Sequence, residues 1–332
     1  MVKSDDHLSN EVSISAKIDE KGLTGSARSR TIAALDRLGG AILDVPNAWL
    51  ERKAALIREG EKAEGSEEIK SSGNPLVLTE DQRVERVIRQ QDIKRVGNKK
   101  AVLEHALEDL SSSNETYEDT DDEVNDDWLN YFEGYADKAS SKSAREQWGR
   151  VLAGEIRKPG RFSLRTLRFL SEVETETAQN FLKFAKANFK REAIFKKDHR
   201  PSGDLIALLE LEEVGLIQEV QGTLARIVPI KNSGAFLVGN THILLVETDR
   251  SDGDLHIPVI KISKMGRELL ELNTDGNDEL SFFEEASEFL FEEGTIGKST
   301  IGRITSRDDQ EVKFDNVKVT DMQEHLARKQ KT

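Results

Sequence analysis

The 332-residue chain contains no cysteine, and none of its apolar runs approaches the about 18 residues that a membrane-spanning helix needs. Without cysteine, the chain can form neither disulfide bonds nor thiolate metal sites. Its first residues, MVKSDDHLSNEVS, lack the apolar core of a secretory signal peptide. These absences predict a cytoplasmic protein without a membrane span.

Aromatic residues are also scarce, at 6 % of the chain, and hydrophobic residues make up 36 %. That content supports two or three modest cores better than one large one. Acidic residues outnumber basic ones, which gives a formal net charge of -14. A chain of this charge repels phosphate backbones on average, so nucleic acid is not the first partner to expect.

The clearest pattern that is present surrounds two tryptophans. Trp128 and Phe132 stand four residues apart, and a second series with the same spacing begins at Trp148. Pro159-Gly160 cannot continue a helix, and the hydroxyl of Ser163 would then accept from free N–H groups at the next helix start. The pattern predicts a packed helical unit with one break.

This block resembles a bacterial domain family of unknown function with the signature DW…WGRxLAxEI…KPGxFSLRTL. It is more distantly similar to the Abi-alpha abortive-infection family, in which a tryptophan-bearing helix, a break and a leucine-rich helix precede a C-terminal module. The second resemblance implies a role in phage defence, and neither implies catalytic residues. The matching positions are Asp127, Trp128, Trp148, Gly149, Arg150, Leu152, Ala153, Glu155, Ile156, Lys158, Pro159, Gly160, Phe162, Ser163, Leu164, Arg165, Thr166 and Leu167.

The order of periodic segments predicts an α+β protein: a mainly helical N-terminal region, a winged-helix-like module with a small antiparallel sheet, and a small C-terminal α/β extension. A disordered start and a linker follow from polar composition. The expected segments are 1–26 (disordered), 27–75 (amphipathic helices and linker), 76–200 (helical domain with the tryptophans), 201–273 (winged-helix-like module) and 274–332 (C-terminal extension).

The winged-helix-like module is expected to open with a helix over 203–220, followed by strands around 224–230, 242–247 and 257–262. A DNA-reading helix needs Lys or Arg, but none lies between Gly203 and Glu219, so this helix is predicted to pack against protein. In the extension, Phe282, Phe283, Ala286, Phe289 and Leu290 share one helix face. Core packing is the preferred explanation, and capture of a partner helix is the alternative.

Several catalytic and metal motifs fail when their spacing is checked. An EF-hand loop from Asp119 would place Val124 and Asn130 where Gly and Glu are needed. The segment 294–300, GTIGKST, has Glu292 where a phosphate-binding loop has its first Gly, and it follows a helical pattern. Asp44, Glu51 and Lys53 imitate a nuclease spacing, but on helical sequence.

The six histidines show no metal-ligand spacing, although folding could bring His242 beside His256. The sequence therefore predicts no catalytic residues, no metal and no cofactor.

One basic cluster remains, at the break between the two helices of the tryptophan block. Arginine side chains and helix-terminal N–H groups both suit phosphate or carboxylate. Internal pairing with the acidic loop 115–127 is the explanation we favour, because short connections keep neighbouring segments together. The anion-binding candidates are Arg157, Lys158, Arg161, Ser163, Arg165 and Arg168.

Three function classes follow. The first is a non-enzymatic interaction or regulatory protein that self-associates or binds a protein partner. The second is a nucleic-acid or nucleotide binder that uses the arginine-rich helix start at 157–168. The third, ranked last, is a hydrolase or nuclease whose site only the folded chain would assemble.

Overall fold

A computed structural model describes residues 30–34, 37–38, 80–112, 122–197, 202–273, 278–308 and 311–329. The chain divides into two compact units, the first ending at Ser171 and the second beginning at Glu172. Several predictions concern residues outside these ranges: the disordered segment 1–26, the linker at 60–75, most of the acidic loop, and the trio Asp44, Glu51 and Lys53. Within the described ranges, no helix combines the length and apolarity needed to cross a membrane.

Helices form the described part of the first unit. Asn125 begins the second helix by accepting a hydrogen bond from the Trp128 N–H at 3.1 Å, and Ser141 begins the third in the same way. The break predicted at Pro159-Gly160 separates the third helix from the fourth. The helices are α1 (Glu80–Ser112), α2 (Asp126–Ala136), α3 (Lys142–Arg157) and α4 (Leu164–Glu172).

The C-terminal half of α1 packs against α3. Val102 and Ala106 are fully buried on α1, as are Val151 and Leu152 on α3. Gly149 permits the close approach, because a Cβ there would lie 2.6 Å from the Cβ of His105. The core of this unit therefore depends on both small and large side chains along the two helices.

The second unit alternates short helices with antiparallel strands. Its helices are α5 (Thr175–Ala185), α6 (Ser202–Glu213), α7 (Lys264–Leu272), α8 (Glu279–Glu292) and α9 (Met322–Lys329). Its strands are β1 (Asn188–Phe189), β2 (Ala193–Phe195), β3 (Ile217–Gln218), β4 (Ala225–Lys231), β5 (Gly234–Val238), β6 (His242–Glu247), β7 (Asp252–Ile262), β8 (Lys298–Arg307) and β9 (Val312–Asp321).

The strands form one nine-stranded sheet in the order β1-β2-β7-β4-β5-β6-β8-β9, and β3 pairs with β7. The α+β class is confirmed. The sheet is larger than expected, because β6 pairs along its length with β8 of the C-terminal segment, from His242 opposite Arg303 to Glu247 opposite Lys298. By contrast, β4 and β5 share a single paired rung, Lys231 with Gly234. The winged-helix-like description of 201–273 stays a prediction.

Helix α8 supplies the apolar face that covers the sheet. Phe282, Phe283, Ala286 and Leu290 are buried in one cluster with side chains from seven strands, and Phe289 packs partly buried against it. Each fully buried Phe or Leu side chain contributes about 1.5–3 kcal/mol to stability. The preference for core packing along this stripe is confirmed.

The predicted helix over 203–220 is too long. Helix α6 ends at Glu213, and the backbone turns at Gly215, which has a φ of +81°. Glycine adopts this left-handed conformation without steric cost. The N–H of Leu216 then bonds to the Leu211 carbonyl at 2.9 Å, and β3 begins at Ile217.

Candidate functional site

The predicted anion site lies at the turn between α3 and α4, and a carboxylate of the chain already occupies its N–H groups. Glu155, only 1 % exposed, accepts a hydrogen bond from the Gly160 N–H at 2.6 Å and another from the Phe162 N–H at 2.9 Å. Charge-assisted bonds of this kind are stronger than neutral ones. We call Glu155 and residues 158–162 the Glu155 turn.

Aromatic packing holds the Glu155 turn from the side. The indole Nε1 of Trp128 donates to the Phe162 carbonyl at 2.7 Å, and its ring stacks on Phe132 with centroids 5.1 Å apart. Phe132 in turn meets Trp148 edge to face. Gly154 leaves room for the Phe162 ring, since a Cβ at this position would lie 2.7 Å from it. The signature residues thus build one packed turn.

The predicted anion-binding residues differ in their burial and in their contacts at this turn. Arg157 is buried and pairs with the Asp109 carboxylate at 2.6 Å, and it also donates to the Asp109 carbonyl at 2.8 Å. Ser163 accepts from the Thr166 N–H at 3.3 Å, which confirms its expected role at the start of α4. The Arg161 guanidinium lies 5.5 Å from the centre of the Phe162 ring.

Three of the predicted cations, Lys158, Arg165 and Arg168, are exposed around the start of α4. The structure therefore leaves three candidates exposed and buries Arg157. Binding of an external anion by this group stays a prediction. The internal partner of Arg157 is Asp109 of α1, which precedes the acidic loop named in the sequence.

A second buried carboxylate, Glu279 at the start of α8, organises the turn between β5 and β6. Its oxygens accept hydrogen bonds from the N–H groups of Asn240, Thr241 and His242 at 2.7–3.0 Å, and from the Thr241 hydroxyl at 2.9 Å. Glu279 is 1 % exposed, so these bonds replace its hydration. We call this arrangement the Glu279 turn.

His242 completes the Glu279 turn. Its Nδ1 lies 2.9 Å from the Thr241 hydroxyl, which already donates its only hydrogen to Glu279, so Nδ1 carries the hydrogen of the neutral ring. Burial lowers the pKa of His242, Arg303 adds to the lowering, and Glu279 opposes it. Nε2 is buried with no hydrogen-bond partner among the described residues. His256 stands exposed on β7, which is separated from β6 by two intervening strands of the sheet.

The second unit also contains a cavity of about 370 Å³ beside α8, bounded by β8, β9 and α9. Polar side chains of α8 and β9 face it, together with His325 of α9. Within the described part of the chain, no group of three or more His, Asp or Glu residues is placed to hold a metal ion.

Segment 294–300 joins the end of α8 to β8, and Lys298 pairs with Glu247 at 2.6 Å. This helix-turn-strand order is the reverse of the context that a phosphate-binding loop requires.

Sequence reasoning missed both buried carboxylates. Glu155 was visible as a fixed position of the signature, five residues before the Gly160 N–H that it binds. Glu279 had no local signal, because its partners lie 37–39 residues earlier in the chain.

Part of the chain matches a protein-family model. A search of the curated proteins found no match, and a search of the solved structures found none. Residues 82–197, which run from α1 to just beyond β2, match the model of a family described as Protein of unknown function (DUF2806). This span includes Trp128, Trp148 and the Glu155 turn.

Proposed function

We propose that this chain is a non-enzymatic, cytoplasmic interaction or regulatory protein that self-associates through the N-terminal half of α1. The observation that carries the proposal is an uncovered apolar stripe: Val84, Val87 and Ile88 are 56 %, 51 % and 52 % exposed. We call these three residues the α1 stripe.

The α1 stripe continues the face of α1 that is buried farther along the helix. Val102 lies 18 positions after Val84, and Ala106 lies 18 positions after Ile88, which at 100° per residue brings each pair to the same side of the helix. That face is buried where α3 covers it and exposed before α3 begins to do so. The continuation is suited to another helix packing at the same face.

A free helical half of this size is also weak by itself. Isolated helices shorter than about 12–15 residues are marginal in water, and most helices in proteins depend on packing of an apolar face. The side chains described between Val84 and Arg95 are all exposed or half-buried. A partner helix would supply the missing packing.

The charge pattern favours a second copy of the same segment as that partner. Residues 80–85, EDQRVE, contain three acids and one base, whereas residues 86–96, RVIRQQDIKRV, contain four bases and one acid. Antiparallel pairing of two copies would set the acidic start of each helix against the basic end of the other. The proposal of a role in phage defence rests on the Abi-alpha resemblance alone.

Light-scattering mass determination across a range of protein concentrations tests self-association. We expect the wild-type chain to form dimers, and the variant Val84→Ser/Val87→Ser/Ile88→Ser to run at the single-chain mass of 37.2 kDa. The matched control is Arg86→Ser/Gln90→Ser, which changes two exposed polar residues outside the α1 stripe on the same helical half. A wild-type chain that is monomeric throughout, or a triple variant that dimerises like the control, would overturn the proposal.

The second candidate is a nucleic-acid or nucleotide binder, supported by the exposure of Lys158, Arg165 and Arg168 around one helix start. It predicts binding of a short mixed-sequence oligonucleotide that weakens steeply with salt and is lost in Arg161→Glu/Arg165→Glu. Fluorescence anisotropy at low and moderate salt measures this directly. Equal binding by the wild type and the double variant would remove the candidate.

A further inference from the structure

We propose that the cavity between α8, β8, β9 and α9 binds a small organic cation, with the Glu288 carboxylate as counter-ion and the His325 ring as a hydrogen-bond partner. This site is independent of the α1 stripe, because every residue that forms it belongs to the second unit.

The cavity, of about 370 Å³, lies beside one face of α8. Glu284, Glu288 and Phe291 follow one another on this face at helical spacing. Phe291 and Ile301 are buried and give the cavity an apolar floor. The volume suits a compact ligand that combines a short apolar stem with one or two polar ends.

Two of the three carboxylates in the cavity are neutralised within the chain. Lys318 pairs with Glu284 at 2.5 Å, and Lys197 pairs with Glu285 at 2.7 Å. Glu288 forms no ion pair with any residue that the structure describes. The cavity therefore has one carboxylate in excess, situated between the Glu284–Lys318 pair and Phe291.

His325 provides the second, independent observation. Its side chain belongs to α9, is 7 % exposed, and stacks on Phe291 with ring centroids 5.0 Å apart. The ring lines the cavity, and no described residue makes a hydrogen bond to it. The ring nitrogens of His325 are not among the enclosed, unpaired atoms of the described residues, so they stay accessible to a polar group bound in the cavity that the ring lines.

The arrangement favours an organic cation over other ligand classes. An inorganic anion would have to displace Glu284 or Glu285 from the two lysines. A hard divalent cation needs about six or more oxygen ligands, and only one uncompensated carboxylate is present. A primary ammonium group needs one counter-ion and a few acceptors, which Glu288 and the ring nitrogen of His325 supply.

Isothermal titration calorimetry of the full chain with 1,4-diaminobutane tests the site. We expect binding that Glu288→Gln weakens at least about tenfold, because a charge-assisted hydrogen bond is lost. His325→Phe keeps the stacked ring but removes its nitrogens, and we expect binding several-fold weaker than that of the wild type. Glu293→Gln is the matched control, since it removes one exposed carboxylate near the same helix end but outside the cavity.

The probes and variants separate a built site from diffuse attraction to an acidic surface. Binding of the diamine by the wild type and by Glu293→Gln, with none of 1,4-butanediol, would support the proposal. Equal weakening by Glu288→Gln and Glu293→Gln would overturn it, as would no heat of binding at millimolar diamine. Binding of succinate in place of the diamine would also overturn it, because the lysines would then be the ligands.

Discussion

The Glu155 turn of the first unit and the Glu279 turn of the second are both held by a buried glutamate, but the glutamate and its turn lie at different distances in the sequence. In each, a carboxylate that is 1 % exposed accepts main-chain N–H bonds from a turn. Glu155 binds N–H groups five and seven residues later, whereas Glu279 binds a turn 37–39 residues earlier. The first turn is a local motif, and the second exists only after the sheet and α8 have come together.

The arginine-rich Glu155 turn need not bind an external anion, because its main-chain donors have an internal partner. The N–H groups that would attract phosphate at the Glu155 turn already bind an internal carboxylate, and Arg157 is paired with Asp109. A sequence shows the donors of a site but not the acceptors that folding brings to them.

The largest effect is expected from Glu279→Gln, which tests whether the long-range turn is the more costly to break. The substitution removes the charge and turns an amide N–H₂ toward a group of buried donors, so we expect a loss of about 3 kcal/mol in the free energy of unfolding. Urea unfolding followed by far-ultraviolet circular dichroism measures the loss. The exposed Glu288→Gln on the same helix is the control, with a change within about 0.5 kcal/mol.

Tryptophan fluorescence separates the two units in the same experiment, because the three tryptophans, Trp49, Trp128 and Trp148, all precede Ser171. Glu279→Gln should leave the fluorescence transition of the first unit unchanged. A shift of that transition by as much as the dichroism transition would contradict the assignment of the effect to the second unit.

A smaller effect, about 1–2 kcal/mol, is expected from Glu155→Gln, because the turn that this carboxylate binds is local in sequence and does not join a helix to a distant strand. The loss should be detected by fluorescence, since the Glu155 turn holds the Phe162 carbonyl that Trp128 binds. Glu146→Gln, on the half-buried side of the same helix, provides a control of equal chemistry. A larger loss for Glu155→Gln than for Glu279→Gln would reverse the comparison.

The smallest expected effect is on the pH dependence of stability. It distinguishes the two turns, because only the Glu279 turn includes a histidine. The pKa of His242 is lowered in the folded chain, so the unfolded chain binds this proton first as the pH falls below about 6.5. The stability of the second unit should therefore decrease on acidification from pH 7 toward pH 5. His242→Phe should make this decrease shallower, measured as the urea midpoint by dichroism. His256→Phe, at an exposed position, should leave the wild-type dependence unchanged.

Much of the fold could be predicted because its signals are local. The tryptophan spacing and Pro159-Gly160 located α2, α3 and α4, and the strand-like runs located β4, β6 and the second half of β7. Strand β5 was missed, although the preceding Asn232-Ser233 carries the positive φ values of a tight hairpin turn. The size of the sheet was missed because the pairing of β6 with β8 joins segments about 55 residues apart in sequence, which no local pattern indicates.

The candidate sites were less predictable than the fold. The arginines at 157–168 were found, but their partners were not, because burial of Arg157 depends on α1. The cavity beside α8 draws residues from β2 to α9, and none of them forms a motif in sequence. The position of His325 in particular depends on the fold, because α9 stacks its ring on Phe291.

The single rung between Lys231 and Gly234 has a consequence for how the second unit opens. On one side of it lie the strands around β7, and on the other lie β5, β6, β8 and β9, so main-chain pairing scarcely connects the two groups. Side chains of α8 contact both groups and hold them in one core. The two halves of the sheet should therefore exchange their amide hydrogens as separate cooperative blocks. The packing of α8 should set the free energy of opening of the block that exchanges more slowly.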